Sequence, residues 1–115
     1  MKQEISMARG TSLSEVVEIY TEDGELYEMD SGDKLIFGVK ESPTQSSSYV
    51  IKKYIYSTDK SDDGYLLSLS PEDTVNLESK RYVYDIGLLD SSGNYNMVIE
   101  CSTFNLQNAV TESDA

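Results

Sequence analysis

Histidine and tryptophan are absent from this chain of 115 residues, and cysteine occurs once, at Cys101. Without histidine, the chain lacks the commonest general base, the commonest metal ligand and the base of histidine-dependent hydrolase triads. A lone cysteine excludes an intrachain disulfide and a zinc cluster built from cysteines. The chain also lacks a G-x-S-x-G elbow and a glycine-rich phosphate loop, so the sequence predicts a protein that is not an enzyme.

Positive charge is also scarce, because 9 basic residues face 21 acidic ones and the net charge is −12. Such a surface repels nucleic acids and anionic membranes, and it keeps a β-rich protein soluble. No apolar run approaches the ~20 residues of a membrane span. Residues Met1–Gly10 lack the apolar core of a signal peptide. We therefore expect no nucleic-acid or membrane partner, and a protein that stays in the cytoplasm or leaves it inside a particle.

Proline is rare, with 2 residues, whereas 9 tyrosines favour strands. Turn signals such as Asp23-Gly24 and Ser92-Gly93-Asn94 separate short runs in which apolar and polar residues alternate. The runs are Glu15–Tyr20, Glu25–Met29, Lys34–Lys40, Tyr49–Ser57, Tyr65–Leu69, Arg81–Leu89, Tyr95–Cys101 and Thr103–Val110. Their spacing predicts an all-β fold, an immunoglobulin-like antiparallel β-sandwich of about seven to nine short strands.

One helical turn is predicted near residues 71–77, where Ser70 is the N-cap, Pro71 the first helical residue and Asp73 the reciprocal capping partner. The order of Leu77, Tyr82 and Tyr84 then matches a tyrosine corner, in which Tyr82 would bond the backbone between two sheets. The alternative is that Tyr82 and Tyr84 are ordinary core tyrosines.

The whole chain, residues 1–115, is predicted to form a single β-sandwich domain, because neither an internal repeat nor a linker is present. Residues 1–10 are an extended arm in this prediction, and residues 111–115 are a frayed tail. Ile5 and Met7 alternate suitably for a strand that joins this domain or a neighbouring one.

One motif carries metal chemistry. Asp59-x-Ser61-x-Asp63-Gly64 resembles the first half of a calcium loop, in which oxygens at alternate positions reach one ion. The twelfth position, which should be a bidentate glutamate, is Ser70. The alternative is an acidic hairpin turn, and no other cofactor is expected.

Binding chemistry is concentrated in a tyrosine-rich run. Tyr54 and Tyr56 share a predicted face with Lys52, and Tyr49 lies on the same strand. Exposed aromatic rings stack on sugars or anchor protein interfaces, so Lys52, Tyr54 and Tyr56 are the candidate binding residues. The alternative is that these tyrosines cover one side of the core. Cys101 alternates with apolar residues and is expected to be a buried thiol.

The second half of the chain is similar to small phage-encoded domains of tail, baseplate and prophage structural operons in Gram-positive bacteria. These include the N-terminal domain of upper-baseplate proteins. The resemblance spans roughly residues 30 to 111. It is carried by Gly32-Asp33-x-Leu35-x-Phe37-x-Val39-Lys40, Leu69-Ser70-Pro71-Glu72-Asp73-Thr74, Leu77, Tyr82-Val83-Tyr84-Asp85-Ile86-x-Leu88, Gly93, Phe104-x-Leu106 and Val110-Thr111.

This resemblance implies a non-enzymatic structural module of a phage or prophage tail, located in the virion or the host cytoplasm. Its partners would be other virion proteins or further copies of itself, as a homo-oligomer. Two other functions remain open from the residues: a carbohydrate-binding sandwich, and an acidic inhibitor that mimics DNA.

Overall fold

The fold is a β-sandwich of two sheets. A computed structural model describes residues 4–21, 23–43, 48–61 and 64–108. The strands of these residues are β1 (Ile5–Ala8), β2 (Leu13–Val17), β3 (Lys34–Lys40), β4 (Tyr49–Tyr56), β5 (Lys60–Ser61), β6 (Gly64–Leu69), β7 (Arg81–Leu89) and β8 (Tyr95–Gln107). One helical turn, α1, spans Pro71–Thr74, and a 3-10 turn spans Ser57–Asp59. The predicted all-β sandwich and its single helical turn near residues 71–77 are confirmed.

The strand order is that of an immunoglobulin-like sandwich. One sheet has five strands in the order β1-β8-β7-β3-β4, and the other has three in the order β2-β6-β5. Strand β1 pairs in parallel with β8, and the other described pairs are antiparallel. Residues 5–8 of the predicted arm therefore belong to this chain's own sheet, where Ile5 and Met7 are buried.

The core lies between the two sheets and is formed by apolar residues at alternate positions of the strands. Leu35, Phe37 and Val39 of β3 are fully buried, as the period-2 pattern predicts. The ring of Phe37 lies 5.5 Å from that of Tyr84 and 6.2 Å from that of Phe104, measured between centroids. Burial of one such side chain stabilises the fold by roughly 1.5–3 kcal/mol, so this cluster is a major source of stability.

The tyrosine corner is present. The Tyr82 hydroxyl donates a hydrogen bond of 2.7 Å to the backbone oxygen of Glu78. Leu77 packs against the core beside this turn, and Tyr84 is buried in the aromatic cluster. Helical turn α1 precedes the corner, and the Asp73 carboxylate at its start accepts a 2.8 Å hydrogen bond from the Ser70 N–H.

A buried carboxylate joins two loops at one end of the sandwich, the β2–β3 connection and the β7–β8 turn. Asp33 is 3% exposed and accepts hydrogen bonds from the Asp30 N–H at 2.9 Å, the Ser91 N–H at 3.0 Å and the Tyr27 hydroxyl at 3.0 Å. These bonds, led by the one from Asp30, lower the pKa of Asp33 although burial opposes them. Burial and the neighbouring Asp33 raise the pKa of Tyr27 to about 12.

Strand β8 departs from the predicted alternation. Tyr84 pairs with Ser102 but Ile86 pairs with Ile99, and the register shifts again before Gly87. Each shift inserts an extra residue into β8 and turns the following side chains over. Of the predicted face Tyr95, Met97, Ile99 and Cys101, only Ile99 is buried. The expectation of a buried thiol is therefore wrong, because Cys101 is exposed.

Two further differences concern segment boundaries. Residues 25–29, predicted as a strand, form a single bridge between Leu26 and Tyr20 around the Asp23-Gly24 turn. The two predicted C-terminal strands are one continuous strand, β8. The predicted frayed tail, residues 111–115, lies outside the described residues. No helix of the described ranges is both long and apolar enough to span a membrane.

We predict that Asp33→Asn lowers the unfolding free energy at neutral pH by about 1–3 kcal/mol, because buried donors lose a charged acceptor. The folded pKa of Asp33 lies below its unfolded value, so its stabilisation exists above the unfolded pKa and disappears as pH falls through the folded pKa. Urea unfolding of both proteins at several pH values should show their difference shrinking towards low pH. Asp30→Asn, at an exposed carboxylate, is the control; equal losses in both variants would contradict the role of Asp33.

We predict that Tyr82→Phe lowers the unfolding free energy by about 0.5–1.5 kcal/mol, because it removes the hydroxyl that bonds Glu78. The matched control is Tyr54→Phe, which removes an exposed hydroxyl. Thermal unfolding of both variants measures the difference. Identical midpoints for the two variants would show that the corner bond does not stabilise the fold.

Candidate interaction face

Two glycines on the outer face of the five-stranded sheet lie beneath tyrosine rings, and one of them, Gly38, lines a groove. A Cβ atom on Gly38 would lie 2.4 Å from Cε1 of Tyr49, and one on Gly87 would lie 2.2 Å from the hydroxyl oxygen of Tyr95. Each tyrosine ring therefore packs directly against the backbone of its glycine, where any side chain would clash. The groove has a volume of about 510 Å³, and its lining includes Gly38, Lys40, Tyr49, Asp85 and Tyr95. We call it the glycine groove.

A bulge in β4 adds Tyr49 to this face. Val39 pairs with Ile51, whereas the next residue, Lys40, pairs with Tyr49, so β4 has one extra residue at Val50. The bulge turns Tyr49 to the same side as Lys40 and Lys52. Without it, strict alternation would place Tyr49 on the inner face with Ile51.

Lysines and tyrosines interleave on the outer side of β3 and β4. The Lys34 Nζ lies 4.7 Å from the Tyr54 ring centroid, and the Lys40 Nζ lies 4.6 Å from that of Tyr49. The Lys52 Nζ lies between the two rings, 4.9 Å from Tyr49 and 5.7 Å from Tyr54. These are cation–π distances. We call this surface the tyrosine–lysine face: Lys34, Lys40, Tyr49, Lys52, Tyr54 and Tyr56.

Three lysines of this face have no carboxylate within salt-bridge distance among the described residues: Lys34, Lys40 and Lys52. The other lysines that the structure describes are paired, as Lys53 is with Asp73 at 3.0 Å and Lys60 with Glu28 at 2.9 Å. The tyrosine–lysine face is therefore a local positive surface on a chain of net charge −12.

Asp85 is a half-buried carboxylate in the glycine groove. Within the described part of the chain it makes no side-chain hydrogen bond or ion pair. Burial raises the pKa of Asp85, and Lys40 partly offsets this at longer range. Burial, Asp85 and Tyr49 together raise the pKa of Tyr95. A carboxylate held at an energetic cost and without a partner is available to accept hydrogen bonds from a ligand.

The predicted binding residues Lys52, Tyr54 and Tyr56 lie side by side on this face. Tyr54 is 41% exposed and Tyr56 is 49% exposed, and their ring centroids lie 6.3 Å apart. The alternative that these tyrosines cover the core is wrong, because Ile51 and Ile55 are the buried residues of β4. Their binding role stays a prediction.

Of the three predicted calcium residues, the structure describes Asp59 and Ser61, and the calcium site stays a prediction. The Asp59 carboxylate accepts a 2.8 Å hydrogen bond from the Tyr56 N–H and so closes the 3-10 turn. Ser61 pairs with Gly64 in the β5–β6 hairpin. Asp63 lies outside the described residues. In the ranges that the structure describes, no three acidic or cysteine side chains gather as a metal site would require.

Sequence reasoning did not select Asp85, Tyr95, Lys34 or Lys40 as site residues. A signal for the groove was nonetheless available, because Gly38 and Gly87 interrupt two of the best predicted strands. A glycine inside a strand marks a bulge or a close approach. The tyrosines that approach them lie on the next strand in each case, beyond bulges that shift the register, so the pattern does not identify them.

Neither a scan against protein-family models nor a search of the curated proteins returned a match to this chain.

We predict that Asp85→Asn does not destabilise the fold at neutral pH and stabilises it slightly, the opposite of Asp33→Asn. The folded pKa of Asp85 is raised, so its protonated form stabilises the fold below the unfolded pKa, and this stabilisation is lost as pH rises through the folded pKa. Urea unfolding at pH 7 and below pH ~4 tests this, because the unfolding free energy of the variant should exceed that of the wild type only at the higher pH. A clear loss at pH 7 would mean that Asp85 has a structural partner.

Proposed function

We propose that this protein is a non-enzymatic assembly module that binds other proteins through its tyrosine–lysine face. The observation that carries the proposal is the exposed row Lys52, Tyr54 and Tyr56 on a rigid sheet. Tyrosine supplies a large contact area at a low cost in side-chain entropy, and aromatic residues are enriched at interface cores. Strand β4 is held by Ile51 and Ile55 in the core, so the row is organised before it meets a partner.

The charge pattern favours an acidic partner surface. Lys34, Lys40 and Lys52 are free to pair with carboxylates, while the rest of the chain is strongly acidic. A second copy therefore offers a complementary surface, and such a head-to-tail contact between different faces closes into a ring or grows into a filament. The proposed setting is a phage or prophage tail assembly, which is supported by the resemblance of residues 30–111 to upper-baseplate domains.

A second candidate function is carbohydrate binding, and the glycine groove favours it. Tyr49 and Tyr95 offer rings for stacking, and the unpaired Asp85 carboxylate offers acceptors for sugar hydroxyls. A glycan array, followed by NMR titration of a bound sugar, would test this function. Tyr49→Ala and Asp85→Asn should each abolish binding, whereas Tyr54→Ala should leave it unchanged.

For the assembly function we expect a discrete oligomer in light scattering, with a mass that persists on dilution. The double variant Tyr54→Ala/Tyr56→Ala should weaken association about tenfold or more, because aromatic anchors dominate interface energies. Lys52→Glu should also weaken it, and added salt should reduce the difference between Lys52→Glu and the wild type.

Leu66→Ala is the matched control, because Leu66 is a comparably exposed apolar side chain on the other sheet. Association unchanged in Leu66→Ala but weakened in the double variant supports the face. A wild-type protein that is monomeric at every concentration would exclude self-assembly. Wild-type assembly by the double variant would remove Tyr54 and Tyr56 from the interface.

A further inference from the structure

The five-stranded sheet has an unpaired edge along the first half of β8. Strand β1 pairs only with the second half, from Phe104 to Gln107. On the opposite sheet, β2 is also an outer strand, because the order is β2-β6-β5. Among the described residues, no strand is paired with β8 on that side before residue 104, or with the free side of β2. Unpaired strand edges are templates for an additional strand.

A cleft of about 850 Å³ lies between these two edges. Its lining is mainly apolar and comes from the end of β2, the segment after it and the start of β8: Val16, Ile19, Tyr20, Tyr27, Met97 and Val98. Core residues Leu88 and Ile99 also reach it, so the sandwich is open to solvent here. An exposed apolar cleft beside free backbone groups fits an extended segment with side chains at alternate positions.

The two segments that line this cleft carry charge of one sign. Its lining comes from residues 16–27 and 88–99, and neither residues 10–33 nor residues 82–115 contain a lysine or an arginine. Glu18 lines the cleft, and Glu15 and Glu100 lie on the two strands that border it. An acidic strand would be repelled, and a basic one attracted.

We propose that this cleft, the strand-acceptor cleft, binds an extended segment of a partner protein with alternating apolar residues and at least one lysine or arginine. The segment adds a strand to the edge of β8, places its apolar side chains against Ile19 and Ile99, and pairs its cation with Glu18. This site is separate from the tyrosine–lysine face, so peptide binding here can be tested independently of the proposed assembly function.

The test uses synthetic peptides of about ten residues, the length of the free edge of β8. One peptide alternates valine and threonine with two threonines replaced by lysine, and its counterpart has glutamate at those positions. The chain has no tryptophan, so a tryptophan at the peptide end reports binding by its own fluorescence. Amide hydrogen exchange read by NMR locates the bound peptide on the chain.

We expect the lysine peptide to slow exchange of amides between residues 95 and 103 and to bind at least tenfold more tightly than the glutamate peptide. Glu18→Lys should reduce that preference several-fold. Glu72→Lys, at an exposed position outside the cleft, is the matched charge control and should leave it unchanged.

Three results would overturn the proposal. The first is that neither peptide slows exchange at residues 95–103. The second is a peptide preference that is equal in the wild type and in Glu18→Lys. The third is protection of the same amides that grows with protein concentration without peptide, because a second copy would then occupy the cleft.

Discussion

The aromatic cluster on the inner face of the five-stranded sheet is the packing on which the rest of the structure depends. Tyr84 lies two residues after the corner tyrosine, where many immunoglobulin domains have a disulfide cysteine, and it packs against Phe37 and Phe104. The chain has a single cysteine, so no intrachain disulfide joins the two sheets. Apolar burial across the sandwich must therefore hold them together, with the Tyr82 hydroxyl locking the turn that leads into β7.

This packing determines what the outer face presents. Once Phe37 and Tyr84 point inward, the pleat directs Gly38 and Asp85 outward, and these two residues pair across β3 and β7. The bulges in β4 and β8 then bring Tyr49 and Met97 to the same outer side. The groove and the tyrosine–lysine face are thus consequences of the inward placement of Phe37 and Tyr84 together with these bulges.

Two carboxylates show how the environment decides whether the fold favours the charged or the protonated form of an acid. Asp33 is almost fully buried but accepts three hydrogen bonds, so its charged form is favoured. Asp85 is less buried, has no such donors among the described residues, and its charged form is disfavoured. Charge is also unevenly distributed along the chain. The two segments that line the strand-acceptor cleft contain acidic residues and no lysine or arginine.

The sequence by itself determined the fold class, strands β3, β4 and β7, the helical turn at Pro71 and the shared face of Lys52, Tyr54 and Tyr56, whereas the exposure of that face came from the tertiary structure. These features follow from local alternation and capping, which are written in neighbouring residues. Only the tertiary structure decided the pairing of β1 with β8, the exposure of Cys101, and the meeting of Asp85 with Tyr49 and Tyr95. Bulges change the register of strand pairing without a signal in the neighbouring sequence. Residues on different strands meet only when the strands are ordered in sheets.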